Sequence, residues 1–173
     1  FSYTPNTGVT GTDSFTYTLT STAQVVGANY QTWNINTSGI SLLTSFPTGT
    51  PSDTGFIKGY DVDTVAIDSG NATLDNFVVR FTNTITIETA GSYTFYTGSD
   101  DGSVLYINGQ LVVNNDGFHS FQETSGVINL AAGTYTLQVD FMENGGQENL
   151  NVSYLGPDTA GLKTDLSSIG TIF

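Results

Sequence analysis

Residues 91–116 most constrain the fold, because two runs of alternating apolar residues lie on either side of a short acidic loop. The runs span residues 93–96 and 104–107, and both are rich in aromatic and β-branched residues. Alternation with a period of two predicts two neighbouring β-strands. The loop between them places Asp100 next to Asp101 and between two glycines. A bound hard cation would offset the repulsion between these carboxylates, whereas a turn with two solvated aspartates is the simpler alternative.

Further alternating segments precede and follow this pair. They cover residues 76–87, 133–140 and 150–154, and turn residues separate them. The dipeptide Asn108-Gly109 is typical of a two-residue β-hairpin. The sequence therefore predicts an all-β fold, an antiparallel β-sandwich with long loops and almost no helix.

Residues 21–70 are rich in Thr, Ser, Gly and Asn, and they are predicted to be loose. Tyr30 and Trp33 are expected to pack beneath a long loop. A second acidic cluster falls in the same region, at Asp53, Asp61, Asp63 and Asp68. Residues 61–63 alternate as strand residues do, which is more typical of a solvated face; a second bound cation is the alternative.

Two single-copy residues are interpreted as structural. Arg80 is the only arginine, and we expect it to pair with a carboxylate. His119 is the only histidine, and no Ser or Cys nucleophile pattern accompanies it. We therefore expect His119 to be packed or hydrogen-bonded rather than catalytic.

The charge of the chain narrows the classes of partner. The chain contains sixteen Asp and Glu residues but only three Lys and Arg residues, which gives a net charge of −13. Such a field repels nucleic-acid phosphates and anionic lipid surfaces, so neither is expected as a partner, whereas divalent cations are attracted. No run is long and apolar enough to span a membrane, so membrane insertion is not expected. There is no cysteine. An extracellular protein without disulfides needs another stabilising cross-link, and bound Ca²⁺ can provide one.

The residues 91–112, GSYTFYTGSDDGSVLYINGQLV, resemble the signature of PA14 domains. Residues 126–137, GVINLAAGTYTL, resemble the next pair of strands in that family. The resemblance covers residues 25–157 and is strongest from Phe77 onward. It implies a PA14-like, jelly-roll-type barrel in which residues 98–102 and the loop 143–149 lie at the same end.

The lectin-like members of that family, such as yeast flocculins and some bacterial adhesins, imply a Ca²⁺ site. There the paired aspartates are joined by a cis peptide and face one calcium, and the second loop completes the shell. The ligands implied here are Asp100, Asp101, Gly145, Gln147 and Asn149. Two adjacent hydroxyls of a terminal monosaccharide, such as fucose, mannose, glucose or galactose, would bind an open Ca²⁺. The implied sugar contacts are Asp100, Asp101, Asn144, Gly146, Gln147 and Phe118.

Residues 1–20 resemble the closing strands of the cadherin-like, immunoglobulin-like repeats of bacterial adhesins, although an extra N-terminal hairpin is the alternative. We therefore predict the tail of a preceding module at 1–20 and a PA14 carbohydrate-binding domain at 21–173. The chain begins with Phe1 rather than Met, which predicts a piece of a longer protein. The expectation is a monomeric, non-enzymatic module at the extracellular surface of a bacterium, mediating adhesion to cells or biofilm.

Two other functions stay open at this point. A Ca²⁺-stabilised spacer between repeats would need the cation but no glycan. The domain could instead be an accessory module of a glycosidase. Its own paired aspartates do not suit hydrolysis, which needs carboxyl groups about 5 to 9.5 Å apart across a cleft.

Overall fold

The alternating segments form two antiparallel sheets in the computed structural model, which describes residues 27–166. The elements are β1 (Gly27–Asn34), β2 (Asp53–Lys58), α1 (Val62–Asp68), β3 (Phe77–Ile87), β4 (Gly91–Asp100), β5 (Gly102–Ile107), β6 (Gln110–Asn115), β7 (Gln122–Leu130), β8 (Gly133–Glu143), β9 (Asn149–Leu155), a 3₁₀ turn (Pro157–Thr159) and β10 (Thr164–Asp165). Six strands pair in the order β2-β1-β3-β8-β5-β6, and four in the order β10-β9-β4-β7. The predicted all-β antiparallel sandwich is confirmed.

The main core lies between the inner faces of the two sheets. Alternate residues of β3, among them Phe77 and Phe81, are fully buried in one cluster with Tyr93 and Phe95 of β4. Burying each such side chain contributes roughly 1.5 to 3 kcal/mol, so this face sets the register of every strand. The predicted strands at 76–87, 133–140 and 150–154 are present as β3, β8 and β9.

The turn between β5 and β6 is also as predicted. Asn108 and Gly109 have φ angles of 47° and 79°. Positive values at both central positions are those of a type I′ turn, which is common in two-residue hairpins.

A second, smaller core lies on the outer face of the six-stranded sheet. There the connection between β1 and β2 covers Val78, Val104 and Met142, and Leu42 packs against them. Trp33 lies edge-on to Phe46 at 5.3 Å and donates from its indole N–H to the carbonyl of Gly49 at 2.9 Å. The prediction that Trp33 packs beneath a loop is therefore confirmed.

The prediction for Tyr30 is wrong. Its ring lies in the main core and crosses Gly55 of β2, and its hydroxyl donates to Asp53 Oδ2 at 2.7 Å. The loose character expected of residues 21–70 is also wrong for β1 and β2, which pair with each other over six residue pairs. Asn29, Gln31 and Thr54 are tolerated in these strands because they are exposed on a part of the outer face that remains solvated.

Residues 61–63 do not form a strand. Asp61 caps α1, since its carboxylate accepts from the amide of Thr64 at 3.0 Å. Val62, Val65 and Ala66 are buried on one face of this helix. Spacings of three and four residues after an N-capping aspartate favour a helix, and they outweigh the short alternation.

Arg80 has the structural role expected of it. Its guanidinium forms two hydrogen bonds with the buried carboxylate of Asp140, at 2.8 and 2.7 Å, and stacks over the ring of Phe46 at 3.8 Å. This pair lies on the outer face of the six-stranded sheet. The adhesin-repeat prediction for residues 1–20 lies outside the described residues.

Candidate metal and ligand site

Asp100 and Asp101 occupy the tight connection between β4 and β5. Asp100 is the last residue of β4, Gly102 is the first of β5, and the Asp100–Asp101 peptide bond is cis, as the resemblance implies. Gly102 is required here, because a Cβ would lie 2.8 Å from the carbonyl oxygen of Gly117. The segment that follows β6 therefore packs directly against the acidic loop.

Backbone amides hold both carboxylates in place. The amide of His119 donates to Asp101 Oδ1 at 2.8 Å, and that of Asn144 donates to Asp101 Oδ2 at 3.0 Å. The amide of Phe121 donates to Asp100 Oδ2 at 3.2 Å. These hydrogen bonds fix the two carboxylates side by side.

Glu143 adds a third carboxylate that sequence reasoning missed. It ends β8 and is fully buried, and its Oε2 accepts from the amide of Asp101 at 3.0 Å. Its Oε1 has no donor in hydrogen-bonding geometry among residues 27–166. Oxygens of Asp100, Asp101 and Glu143 lie within 4.8 Å of one another, and no other group of three ligating residues gathers in this part of the chain.

The pKa of Glu143 is raised to about 7. Burial is the main cause, and the negative charge of Asp101 adds to it, while the amides of Asp101 and Gly145 oppose the rise. A buried, unpaired carboxylate oxygen beside two further carboxylates fits a hard divalent cation, which prefers oxygen ligands. Asp100, Asp101 and Glu143 are therefore the residues that could hold such an ion.

An open cleft of about 420 Å³ lies beside these carboxylates. It is lined by Asp100, Asp101, Phe118, His119, Ser120, Asn144, Gly145, Gly146 and Gln147. The two loops expected at one end of the sandwich thus meet. Seven of the eight residues selected from the sequence line this cleft.

Asn149 is the exception among the selected residues. It lies on β9 in register with Asp100, exposed and outside the set that lines the cleft. Its role as a metal ligand stays a prediction.

His119 is hydrogen-bonded as expected, its ring nitrogens lying 3.1 Å from the carbonyl oxygen of Ser120 and 3.0 Å from that of Asn115. Its position in the cleft, like that of Ser120, was not predicted.

The second acidic cluster does not form a comparable site in the described part of the chain. Asp53 accepts from the hydroxyl of Tyr30, and Asp61 caps α1. Asp63 lies on the first turn of that helix and Asp68 ends it. The solvated-face interpretation therefore suits these residues better than a second cation.

Comparisons with known proteins agree with this fold. The model of the PA14 domain family matches residues 35–167. The PA14 domain of the MpAFP antifreeze protein superposes with a TM-score of 0.61 at 17% identity, over 93% of this chain and 95% of that one. The PA14 sugar-binding domain from an RTX adhesin gives 0.58 at 17% identity, over 81% and 95%.

An anti-sigma factor domain-containing protein from Clostridium clariflavum also superposes, with a TM-score of 0.61 at 17% identity. It is matched over 90% of this chain, which spans about half of that protein's length (50%). At such identities these superpositions show a shared fold. No curated protein matches the chain. Within residues 27–166 no helix is long and apolar enough to cross a membrane. Since the PA14 model spans most of the sequence, the protein belongs to the PA14 domain family.

Proposed function

We propose that this PA14 domain is a Ca²⁺-dependent glycan-binding module that holds a terminal sugar in the cleft beside Asp100 and Asp101. The observation that supports this most is the fully buried Oε1 of Glu143. It has no donor in hydrogen-bonding geometry among residues 27–166, and the Glu143 carboxylate lies next to those of Asp100 and Asp101. Such an arrangement is costly without a cation. Asp100, Asp101 and Glu143 would hold the ion, with Gly145, Gln147 and Asn149 as the further ligands expected from the sequence.

When bound, Ca²⁺ supplies positive charge and open coordination positions for two adjacent sugar hydroxyls. The chain's own residues then orient the sugar. The carboxylates of Asp100 and Asp101 accept hydrogen bonds from those hydroxyls. Asn144, Gly146 and Gln147 border the cleft and offer amide groups to the remaining ones. Gln147 is therefore expected to influence the choice among sugars such as fucose, mannose, glucose and galactose.

Phe118 supplies the apolar part of the cleft. Its side chain is 50% exposed although it lines the site, so the ring is free to pack against the C–H face of a sugar. Fixed polar groups beside one exposed aromatic ring are typical of small-ligand sites. The fold shared with the PA14 sugar-binding domain from an RTX adhesin supports the same class of ligand.

Binding rather than hydrolysis is favoured by the arrangement of the carboxylates. One oxygen from each of Asp100, Asp101 and Glu143 lies within 4.8 Å of the other two. A glycosidase instead places an acid and a nucleophile or base on opposite sides of the sugar, about 5 to 9.5 Å apart. We therefore assign no catalytic role to Asp100 or Asp101.

The small number of contacts in the site suggests how the domain would be used in a larger protein. A monosaccharide held by few contacts is expected to bind with a Kd on the order of 0.1 to 1 mM. Useful attachment would then come from many copies acting together. We propose that the domain is a monomeric module of a longer extracellular bacterial adhesin, which attaches to cell-surface or biofilm glycans.

A glycan array in millimolar Ca²⁺, with a chelator control, tests this function. The wild-type domain should give sugar signals that disappear with chelator, and Asp100→Asn with Asp101→Asn should abolish them. The matched control is Asp61→Asn with Asp68→Asn, which removes two charges outside the cleft and keeps a capping residue on α1. A melting temperature that rises with Ca²⁺, with no sugar bound anywhere on the array, would instead support a structural spacer.

A further inference from the structure

The outer face of β4 continues away from the cleft towards an aromatic ring that the site described above does not use. Alternation places Asp100, Gly98 and Tyr96 on the same face of this strand. Gly98 is buried because Phe121 covers it, and a Cβ there would lie 2.8 Å from Cζ of that ring. Phe121 nevertheless keeps 50% of its surface exposed.

Phe121 is held next to the cleft but lies outside it. Its amide donates to Asp100 Oδ2 at 3.2 Å, so its α-carbon adjoins the carboxylate that borders the cleft. Phe118, three residues earlier in the same connection, lines the cleft, whereas Phe121 does not. One short segment therefore presents two half-exposed rings, one in the cleft and one over β4.

Polar side chains flank the ring of Phe121 on both sides. Gly98 is in register with Glu123 of β7 and with Asn151 of β9, and both of these residues are exposed. Glu123 is oriented by Lys163, whose Nζ lies 2.6 Å from its carboxylate oxygens and 4.3 Å from the ring centre of Tyr96. A flat apolar surface with an amide on one side and an anchored carboxylate on the other matches a sugar ring, which has apolar C–H faces and hydroxyls at its rim.

We propose that Phe121, Asn151 and Glu123 form a second sugar subsite, which binds the residue that follows the terminal sugar of an oligosaccharide. The proposal rests on the proposed function, since the terminal sugar is the one placed in the cleft. It makes the ligand a short oligosaccharide rather than an isolated monosaccharide. The ring is already packed on Gly98 and its amide on Asp100, so little conformational entropy is lost when a sugar stacks on it.

The test compares each monosaccharide with an oligosaccharide that ends in it. Isothermal titration in Ca²⁺ would use glucose against isomaltotriose and maltotriose, and fucose against 2′-fucosyllactose. For at least one pair, the wild-type domain should bind the longer ligand about 3- to 10-fold more tightly, as expected for one added stacking contact. Phe121→Ala keeps the amide that holds Asp100 and removes only the ring, so it should bring this ratio close to one.

Two further variants sharpen the result. Gly98→Ala should reduce the same ratio, because its Cβ displaces the ring of Phe121. Phe56→Ala is the matched control, since Phe56 is 56% exposed and lies across Gly27 on the six-stranded sheet. It should leave the ratio unchanged.

The possible failures can be told apart. Monosaccharide binding with no gain for any longer ligand, or a gain that survives Phe121→Ala, would overturn the second subsite and leave the proposed function standing. Absence of all Ca²⁺-dependent sugar binding by the wild-type domain would overturn both. A protein partner that loses affinity on Phe121→Ala, with the oligosaccharide ratio unchanged, would reassign this surface to protein recognition.

Discussion

Glu143→Gln is expected to stabilise the Ca²⁺-free domain at pH 8 while it weakens the response to Ca²⁺. Glutamine has nearly the same shape, and its amide oxygen can still accept from the backbone of Asp101. Its amide nitrogen would lie where the unpaired Oε1 lies now, and could donate to the neighbouring aspartates. The substitution thus removes one buried charge without opening a cavity.

The magnitude follows from the pKa of Glu143, which burial and the charge of Asp101 raise from 4.5 to about 7. Because the folded state holds this proton more tightly than the unfolded chain, stability is lost as pH rises between about 4.5 and 7. The full loss, on the order of 3 kcal/mol, is present above that window. Glu143→Gln should recover up to this amount at pH 8 in chelator, and almost none at pH 4.

Urea denaturation at pH 4, 6 and 8, in chelator and in millimolar Ca²⁺, measures both effects. A hundredfold excess of Ca²⁺ over its Kd should stabilise the wild-type domain by roughly 2.7 kcal/mol, and the variant by less, because one anionic ligand is missing. The stability order at pH 8 should therefore reverse when Ca²⁺ is added. Glu88→Gln is the control, since it removes the same charge from an exposed position in a turn and should show neither effect.

Two results would refute this reasoning. If the variant and the wild type had equal stability at pH 8 in chelator, the buried charge of Glu143 would not be costly. If both gained equally from Ca²⁺, Glu143 would not be a ligand. The second result would leave Asp100 and Asp101 as the ligands still to be tested.

Three predictions concern the scaffold, and chemical denaturation tests each of them. Arg80→Met should cost about 3 to 5 kcal/mol at neutral pH, because Asp140 is left as an unpaired charge with 1% of its side chain exposed; an unchanged midpoint would contradict this. Gly126→Ala should cost about 1 to 3 kcal/mol or more, because its Cβ would lie 1.7 Å from the carbonyl oxygen of Val112; wild-type stability would show that the two strands separate easily. Asn115→Ala should cost about 1 to 3 kcal/mol through its buried hydrogen-bond partners, and recovery by Asn115→Asp would argue against an amide-specific role.

The strands could be predicted because burial on one face leaves a period of two in the sequence. This held for β3, β8 and β9, where large apolar residues alternate with Thr and Asn. It failed at α1, whose seven residues are too short to show a lasting helical period. The signal that identifies this helix is local: Asp61 is an N-capping residue, and the buried Val65 and Ala66 follow Val62 by three and four residues.

The aspartate pair could also be found, since two adjacent acids between glycines stand out in any strand-rich sequence. Glu143 was missed because it was assigned to the polar loop that it opens. A usable signal was present, for Leu137, Val139 and Phe141 alternate into the core and the same period places Glu143 on that buried face. An acid that continues the apolar face of a strand indicates either a buried ion pair or a ligand.

The remaining geometry could not be predicted, because no single segment contains it. Asp100 and Asp101 come from the β4–β5 connection, Glu143 from the end of β8, and the amides of His119 and Phe121 from the β6–β7 connection. Pairing of β8 with β5 brings the first two together, and the buried amide of Asn115 joins β6 to Ser99 of β4 beneath them. A cation bound to these carboxylates would cross-link segments that are distant in the chain, as a disulfide would in a protein with cysteines. Stability against denaturant should therefore report occupancy of the site directly, which makes the Ca²⁺ dependence of unfolding the most informative first measurement on this domain.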